Sequence, residues 1–132
     1  MRYLADTHIL IRWLVDPRRI SKEQLRILEN LIRYHEPVGV SAVSLLEIAS
    51  LSQDPRRLSK SALEEVLHEI DTREVFEVLP ITTEITREAA RLLPVLRDPA
   101  DTFIAATARA HGLRLLTSDA RIIDSNCVPT ID

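Results

Sequence analysis

The stretch Tyr3-Leu4-Ala5-Asp6-Thr7-His8-Ile9-Leu10-Ile11-Arg12-Trp13-Leu14 changes periodicity in mid-course. Tyr3 to Ala5 make a short strand and Asp6-Thr7-His8 a tight polar junction. Ile9, Leu10, Trp13 and Leu14 then recur at helical spacing until Asp16-Pro17. A strand that passes directly into a helix is half of a βαβ unit, and the pattern repeats downstream. Ser21 with Gln24 forms a capping box for a helix whose apolar stripe is Leu25, Leu28, Leu31 and Ile32, stopped by Pro37. Val38-Gly39-Val40 reads as a second strand, with Ser41 capping a helix that carries Val43, Leu46, Glu47 and Ser50. Ser61 with Glu64 repeats the capping box ahead of Leu63, Val66, Leu67 and Ile70. Val75 to Leu79 is a third strand, followed by a helix from about Thr83 to Leu93. Asp98-Pro99 is a cap followed by a proline at the first helical position, opening a helix that Gly112 ends. Arg114 to Thr117 is a fourth strand running into Ser118-Asp119 and a short helix, and Val128 belongs to a fifth.

Short strands alternating with helices predict an α/β domain, three-layered α/β/α, around a mainly parallel sheet of four to five short strands. The chain has 132 residues, 45% hydrophobic and 28% charged, with only two glycines and no low-complexity linker. It therefore reads as one domain, 1–132. Lys and Arg number 17 against 20 Asp and Glu, a net charge of −3, which excludes binding to nucleic acid through bulk positive charge. The charge is uneven: residues 1–60 carry ten basic and seven acidic groups, residues 61–132 seven and thirteen. The single cysteine, Cys127, excludes an internal disulfide framework and a cysteine-based zinc cage, and reads as apolar filler. No basic region followed by a long apolar run is visible, and no stretch approaches the ~20 apolar residues of a membrane span; the expectation is a cytoplasmic protein with no membrane contact.

In a parallel sheet with helices on both faces, ligands bind outside the carboxyl ends of the strands. Asp6 follows the first strand there and Asp119 the fourth. Asp101 stands at the third position of the helix opened by Asp98, and Glu47 about two turns into the helix after the second strand. Each alone has an ordinary reading, as a helix cap, a complement to a helix dipole, or a solvated side chain. Together, four carboxylates from separate βα units at one end of a sheet repel one another without a cation. Oxygen donors with no His or Cys cluster suit Mg²⁺ or Mn²⁺, and such an ion serves phosphodiester hydrolysis. The hydroxyls of Thr7, Thr117 and Ser118 are candidates for supporting the carboxylates or contacting substrate phosphate.

Four segments carry a resemblance. They are Leu4 to Leu10, Val40 to Ala49, Arg97 to Ala108 and Leu115 to Asp119, and they resemble, in order and across nearly the whole chain, the four motifs of the PIN domain. The resemblance is closest to VapC-type toxins of toxin–antitoxin pairs. It implies that Asp6, Glu47, Asp101 and Asp119 form the acidic quartet of a Mg²⁺- or Mn²⁺-dependent endoribonuclease, with Glu47 acting partly through water. Asp98 is then a cap or an outer contributor to the metal site. It further implies a homodimer, a structured RNA substrate, and a cognate antitoxin protein whose C-terminal segment covers the groove. The segment around Ala100 and Thr102 lacks the aromatic and basic residues often found there in relatives, which leaves substrate preference open.

His8 is a candidate for contacting RNA, although its position is commonly filled by a non-catalytic residue in similar sequences. His35, His68 and His111 sit near helix ends, where surface placement suffices, and Trp13 lies on an apolar helix face suited to the core. Two basic groups, Arg18-Arg19-Lys22-Arg26 and Arg56-Arg57-Lys60, are either solvated helix edges or phosphate contacts; Arg18 and Arg19 are the leading substrate-binding pair. Two other readings are a catalytically silent PIN domain that binds RNA or protein, and a Mg²⁺-binding receiver-like switch. The second lacks a paired acid beside Asp6, a phosphoacceptor Asp after the third strand and a well-placed Lys.

Overall fold

The computed structural model describes residues 1–132. Five strands, β1 (Tyr3–Ala5), β2 (Val38–Ser41), β3 (Phe76–Leu79), β4 (Arg114–Leu116) and β5 (Thr130–Ile131), form one sheet in the order β3-β2-β1-β4-β5, parallel throughout. Seven helices surround it: α1 (Thr7–Val15), α2 (Lys22–Arg33), α3 (Ala42–Leu51), α4 (Lys60–Thr72), α5 (Thr83–Leu96), α6 (Pro99–His111) and α7 (Ala120–Ser125), with a 3-10 turn at Pro17–Arg19.

The alternation of strand side chains divides the apolar residues between two cores. Tyr3, Ala5, Val38, Val40 and Leu116 face one side and pack with Ile9, Leu10, Leu28 and Val66 from α1, α2 and α4. Leu4 and Leu115 face the other and pack with Ile85, Leu92, Ile104 and Ile122 from α5, α6 and α7. The result is the expected three-layer α/β/α domain. At Gly39 in β2, a Cβ would lie 3.0 Å from Leu4 Cδ1 and 3.1 Å from Leu79 Cδ1, so the second core closes to within one methyl group of the strand.

Several boundaries differ from the sequence expectation. α4 begins at Lys60 with Ser59 as its cap, not at Ser61: the Ser59 hydroxyl accepts from the Ala62 amide at 3.1 Å. Leu58, buried just ahead of the cap, and Leu63, at the fourth helical position, join the same core, a hydrophobic staple that fixes the earlier start. α5 runs past Leu93 through Pro94 because buried Leu92 and Leu96 hold its last turn against the core. The last strand lies at Thr130–Ile131, beyond Val128, which is nonetheless buried. Ile32, expected on the apolar stripe of α2, points to solvent, and Leu46 on α3 is 68% exposed. Trp13 packs edge-on to Phe76, 5.5 Å between ring centroids, and Cys127 lies partly buried against the second core. The capping box at Ser21 forms as expected, and Gly112 ends α6 at φ +65°.

Gln24, read from the sequence only as a capping residue, is a fully buried clamp. Its Nε2 donates to the carbonyls of Ile131 (2.9 Å) and Thr117 (3.3 Å), and its Oε1 accepts from the Ser21 amide (3.4 Å). It thus ties the start of α2 to the carboxyl ends of β4 and β5. Gln24→Leu keeps the volume but leaves two buried carbonyls without that donor, and is expected to lower the unfolding free energy by about 2 kcal/mol. An unchanged midpoint in urea denaturation contradicts this role.

Candidate active site

The β1–β4 register pairs Ala5 with Leu116, so the next residues, Asp6 and Thr117, emerge side by side at the carboxyl edge. The Asp6 amide continues the ladder by donating to the Leu116 carbonyl at 2.9 Å. Its side chain is only 4% exposed. Asp6 Oδ1 accepts from the Thr7 amide and Oδ2 from the Thr117 hydroxyl, both at 2.7 Å. The Thr117 oxygen in turn accepts from the Asp119 amide at 3.1 Å, so one hydroxyl sets the relative position of Asp6 and Asp119.

Glu47 reaches the same edge from α3. Its Oε1 accepts from the Thr7 hydroxyl at 2.6 Å, and that oxygen lies 2.8 Å from the Ser44 hydroxyl in the first turn of α3. Asp98 caps α6, accepting from the Asp101 amide at 3.0 Å, which turns Asp101 into the site from the first turn. Asp119 caps α7. Thus all the acidic groups singled out from the sequence stand at one edge. Thr7 and Thr117, considered as substrate contacts, are instead fully buried and committed to Glu47 and Asp6. Ser118 and His8 are exposed beside the acidic groups in the chain.

The electrostatics report the crowding. Burial pushes Asp6 above the usual carboxylate range, against the pull of its bonds to Thr117 and Thr7. Burial likewise raises Glu47, with the charges of Asp6 and Asp98 adding to it. Asp101 is raised to about 7, first by burial and then by Asp98, Asp119, Asp6 and Glu47, so it feels every other carboxylate of the group. Asp119 is the exception: burial pushes it up, but bonds from Arg121 and its backbone amide outweigh that and hold it low.

Arg121, which sequence reading passed over, is the cation of the site. One of its terminal nitrogens lies 3.1 Å from Asp101 Oδ2 and 3.2 Å from Asp119 Oδ2, and its amide donates to Asp119 Oδ1 at 2.9 Å. Its place two residues beyond Asp119, on the first turn of a helix, was the available signal. No three of the acidic side chains converge closely enough to cage an ion unaided. The donors are nevertheless all oxygens, and their mutual repulsion is what a hard divalent ion relieves; Mg²⁺ in particular takes one or two carboxylates and completes its shell with water. The residues present fit such an ion.

The basic groups separate. Arg18 is highly exposed and paired with Asp16 at 3.0 Å, and Arg26 pairs with Glu23. Arg19, by contrast, lines a cleft with Arg56 and Arg57.

The chain matches the PIN domain family over residues 3–125. It belongs to that family. Over 120 residues this PIN domain is 30% identical to Ribonuclease VapC22 of Mycobacterium tuberculosis, spanning 90% of this chain and 88% of that protein. Its fold is similar to that of VapBC2 from Rickettsia felis bound to a DNA fragment from their promoter, with a TM-score of 0.75 at 18% identity over 99% of this chain and 98% of that one. FitAcB from Neisseria gonorrhoeae gives 0.70 at 22% over 98% and 96%. VapBC-5 of Mycobacterium tuberculosis, a member of the VapBC family of toxin-antitoxin systems, gives 0.63 at 21% over 98% and 97%. At these identities the structural likeness is one of fold. No helix is long and apolar enough to cross a membrane.

Asp101 supplies a test of the crowding. In the folded PIN domain it keeps its proton up to about pH 7, whereas in the unfolded chain it loses it near pH 4. The folded state binds more protons across that window, so the stability Asp101 contributes is full below about pH 4 and is lost as pH rises through about 7. In metal-free buffer Asp101→Asn should therefore gain on wild type between pH 4 and 7, by about 1–2 kcal/mol with solvent screening allowed for, and hold that gain above. Parallel denaturation curves that keep a constant gap from pH 4 to 8 contradict it.

Proposed function

We propose that this PIN domain is a Mg²⁺- or Mn²⁺-dependent endoribonuclease acting as the toxin of a toxin–antitoxin pair. The observation that carries the reading is the gathering of Asp6, Glu47, Asp101 and Asp119 at one sheet edge, where burial first and the neighbouring carboxylates second lift Asp101 to about 7. The curated relative VapC22, a ribonuclease by name, supports the activity.

Asp6, Asp101 and Asp119 would hold the ion, with Glu47 joining partly through water and Asp98 fixing Asp101 from outside. A bound divalent ion would neutralise the phosphate, make a water more acidic and stabilise the departing oxygen. The chain's own residues do the positioning. Thr117 locks Asp6 against Asp119, Thr7 locks Glu47, and Ser118 stands exposed at the mouth as a phosphate contact. Water attacks phosphorus, the bond to the leaving ribose oxygen breaks and that oxygen takes a proton; no side chain becomes covalently attached. Arg121 bridges Asp101 and Asp119 and would have to give up that place for the two side chains to hold an ion.

The partners follow the same reading: structured RNA as substrate, a cognate antitoxin and a second copy of the chain, in the cytoplasm. The similar fold of VapBC-5, a member of a family of toxin-antitoxin systems, supports the antitoxin.

Purified protein should cleave cellular RNA with Mn²⁺, lose cleavage in EDTA and regain it on addition of metal. Thr117→Val should cut the rate about 10–100-fold by freeing Asp6 from its donor, and Asp6→Asn should cut it further. Cleavage that persists in EDTA, or an Asp6→Asn protein as active as wild type, overturns the proposal.

A further inference from the structure

The basic side chains outside the acidic centre do not spread evenly over the surface. Arg12 on α1, Arg19 in the 3-10 turn and Arg56 and Arg57 ahead of α4 line one cleft of about 260 Å³, with Val15 and Leu58 in its wall. Two segments some forty residues apart in sequence are thus folded into a single basic hollow. Asp16, the only carboxylate lining it, is engaged by Arg18 outside, and Arg56 is paired with Asp54. Arg12, Arg19 and Arg57 form no ion pair. Three unpaired guanidinium groups around one concavity, in a chain whose net charge is −3, call for an anion. Guanidinium forks match phosphate oxygens two at a time.

The position of the cleft says which phosphate. α4 turns within three residues into β3 and so runs antiparallel to it, which sets its first turn, beside the cleft, at the carboxyl edge of the sheet. That edge carries the acidic centre. α1 leaves Asp6 and reaches Arg12 after about 9 Å of helical rise and Val15 after about 13 Å. A stacked strand presents a phosphate every ~3.4 Å, so the cleft stands about three to four phosphates from the acidic centre. At 260 Å³ it is smaller than the ~300–1,000 Å³ of small-molecule sites. No aromatic ring lines it, so it offers no platform for bases and reads backbone, not sequence.

We propose that this cleft binds the sugar-phosphate backbone of the RNA substrate three to four nucleotides from the bond that is cut, so that RNA long enough to fill both sites is preferred. The inference rests on the ribonuclease reading above. An acidic protein segment has the same charge, but the bidentate fit of guanidinium forks to phosphate and the phosphate-scale spacing from the acidic centre favour a nucleic-acid strand.

The test compares wild type with Arg12→Gln/Arg19→Gln/Arg57→Gln by fluorescence anisotropy, using a 20-nucleotide RNA and a tetranucleotide over a salt series. The triple variant should bind the 20-mer at least about tenfold more weakly, and its slope of log affinity against log salt should be shallower by about 2, at roughly 0.7 per phosphate contact. Tetranucleotide binding should not change. Arg→Lys replacements at the same three positions should keep the wild-type slope, which separates charge from misfolding. A folded Gln variant with the wild-type slope, or an equal loss for both RNA lengths, overturns the inference. So does a Glu-rich peptide that competes for the cleft more strongly than the 20-mer. If wild type cleaves RNA with Mn²⁺ while the Gln variant keeps its slope, the cleft assignment fails alone. If wild type never cleaves, the ribonuclease reading fails, and the length-dependent slope still decides the cleft.

Discussion

Asp6 is a carboxylate sealed from solvent with one donor on each oxygen, and the edge of the sheet is arranged around keeping it there. The Thr117 hydroxyl is the pivotal partner: it donates to Asp6 and accepts from the Asp119 amide, joining the ends of two neighbouring strands. Once Asp6 is fixed, every further carboxylate brought to that edge adds repulsion in a poorly solvated place. Glu47, Asp98, Asp101 and Asp119 are brought there nonetheless. A fold selected only for stability has no reason to gather them. The crowding is relieved in two ways, by a proton that Asp101 keeps up to about pH 7 and by the Arg121 guanidinium set between Asp101 and Asp119.

The scaffold explains how such a cluster is tolerated. Backbone hydrogen bonds along the parallel strands fix the register, and register alone sets Asp6 beside Thr117. Helix caps then fix the rest: Asp98 and Asp119 each begin a helix with their own side chains, so helix formation itself orients them. Two cores, one on each face of the sheet, hold these helices, and Gln24 clamps the carboxyl ends of β4 and β5 from beneath. The acidic end and the basic cleft share one edge of the sheet, and on the reading proposed above that edge is a local surface for a polyanion on an acidic protein. Net charge is therefore a poor guide to its ligand; the placement of the charges decides.

Much of this was legible in the sequence because local chemistry and global fold agree. Alternating strands and helices, the capping box at Ser21, the Asp98-Pro99 start and the Gly112 stop each act within a few residues. The acidic group was legible because it lies in short motifs at strand ends. What escaped depends on contacts between distant segments. Ser59 displaces Ser61 as cap because Leu58 is buried against the first core, and Leu46 faces out because Val43 and Ile48 face in. The roles of Thr7 and Thr117 could not be assigned before the strand register was known. The reach of Arg121 to Asp101, and the union of Arg12 and Arg19 with Arg57, are products of tertiary folding alone.

The central claim is that the carboxylates form one coupled centre built for a hard cation. Proton release on Mn²⁺ binding tests it most directly, measured by titration calorimetry in buffers of different ionisation enthalpy. Binding should expel a large fraction of one proton at pH 6, little at pH 8.5, and little at either pH in Asp101→Asn. Absence of Mn²⁺ binding, or proton release that is the same in Asp101→Asn as in wild type, would contradict it.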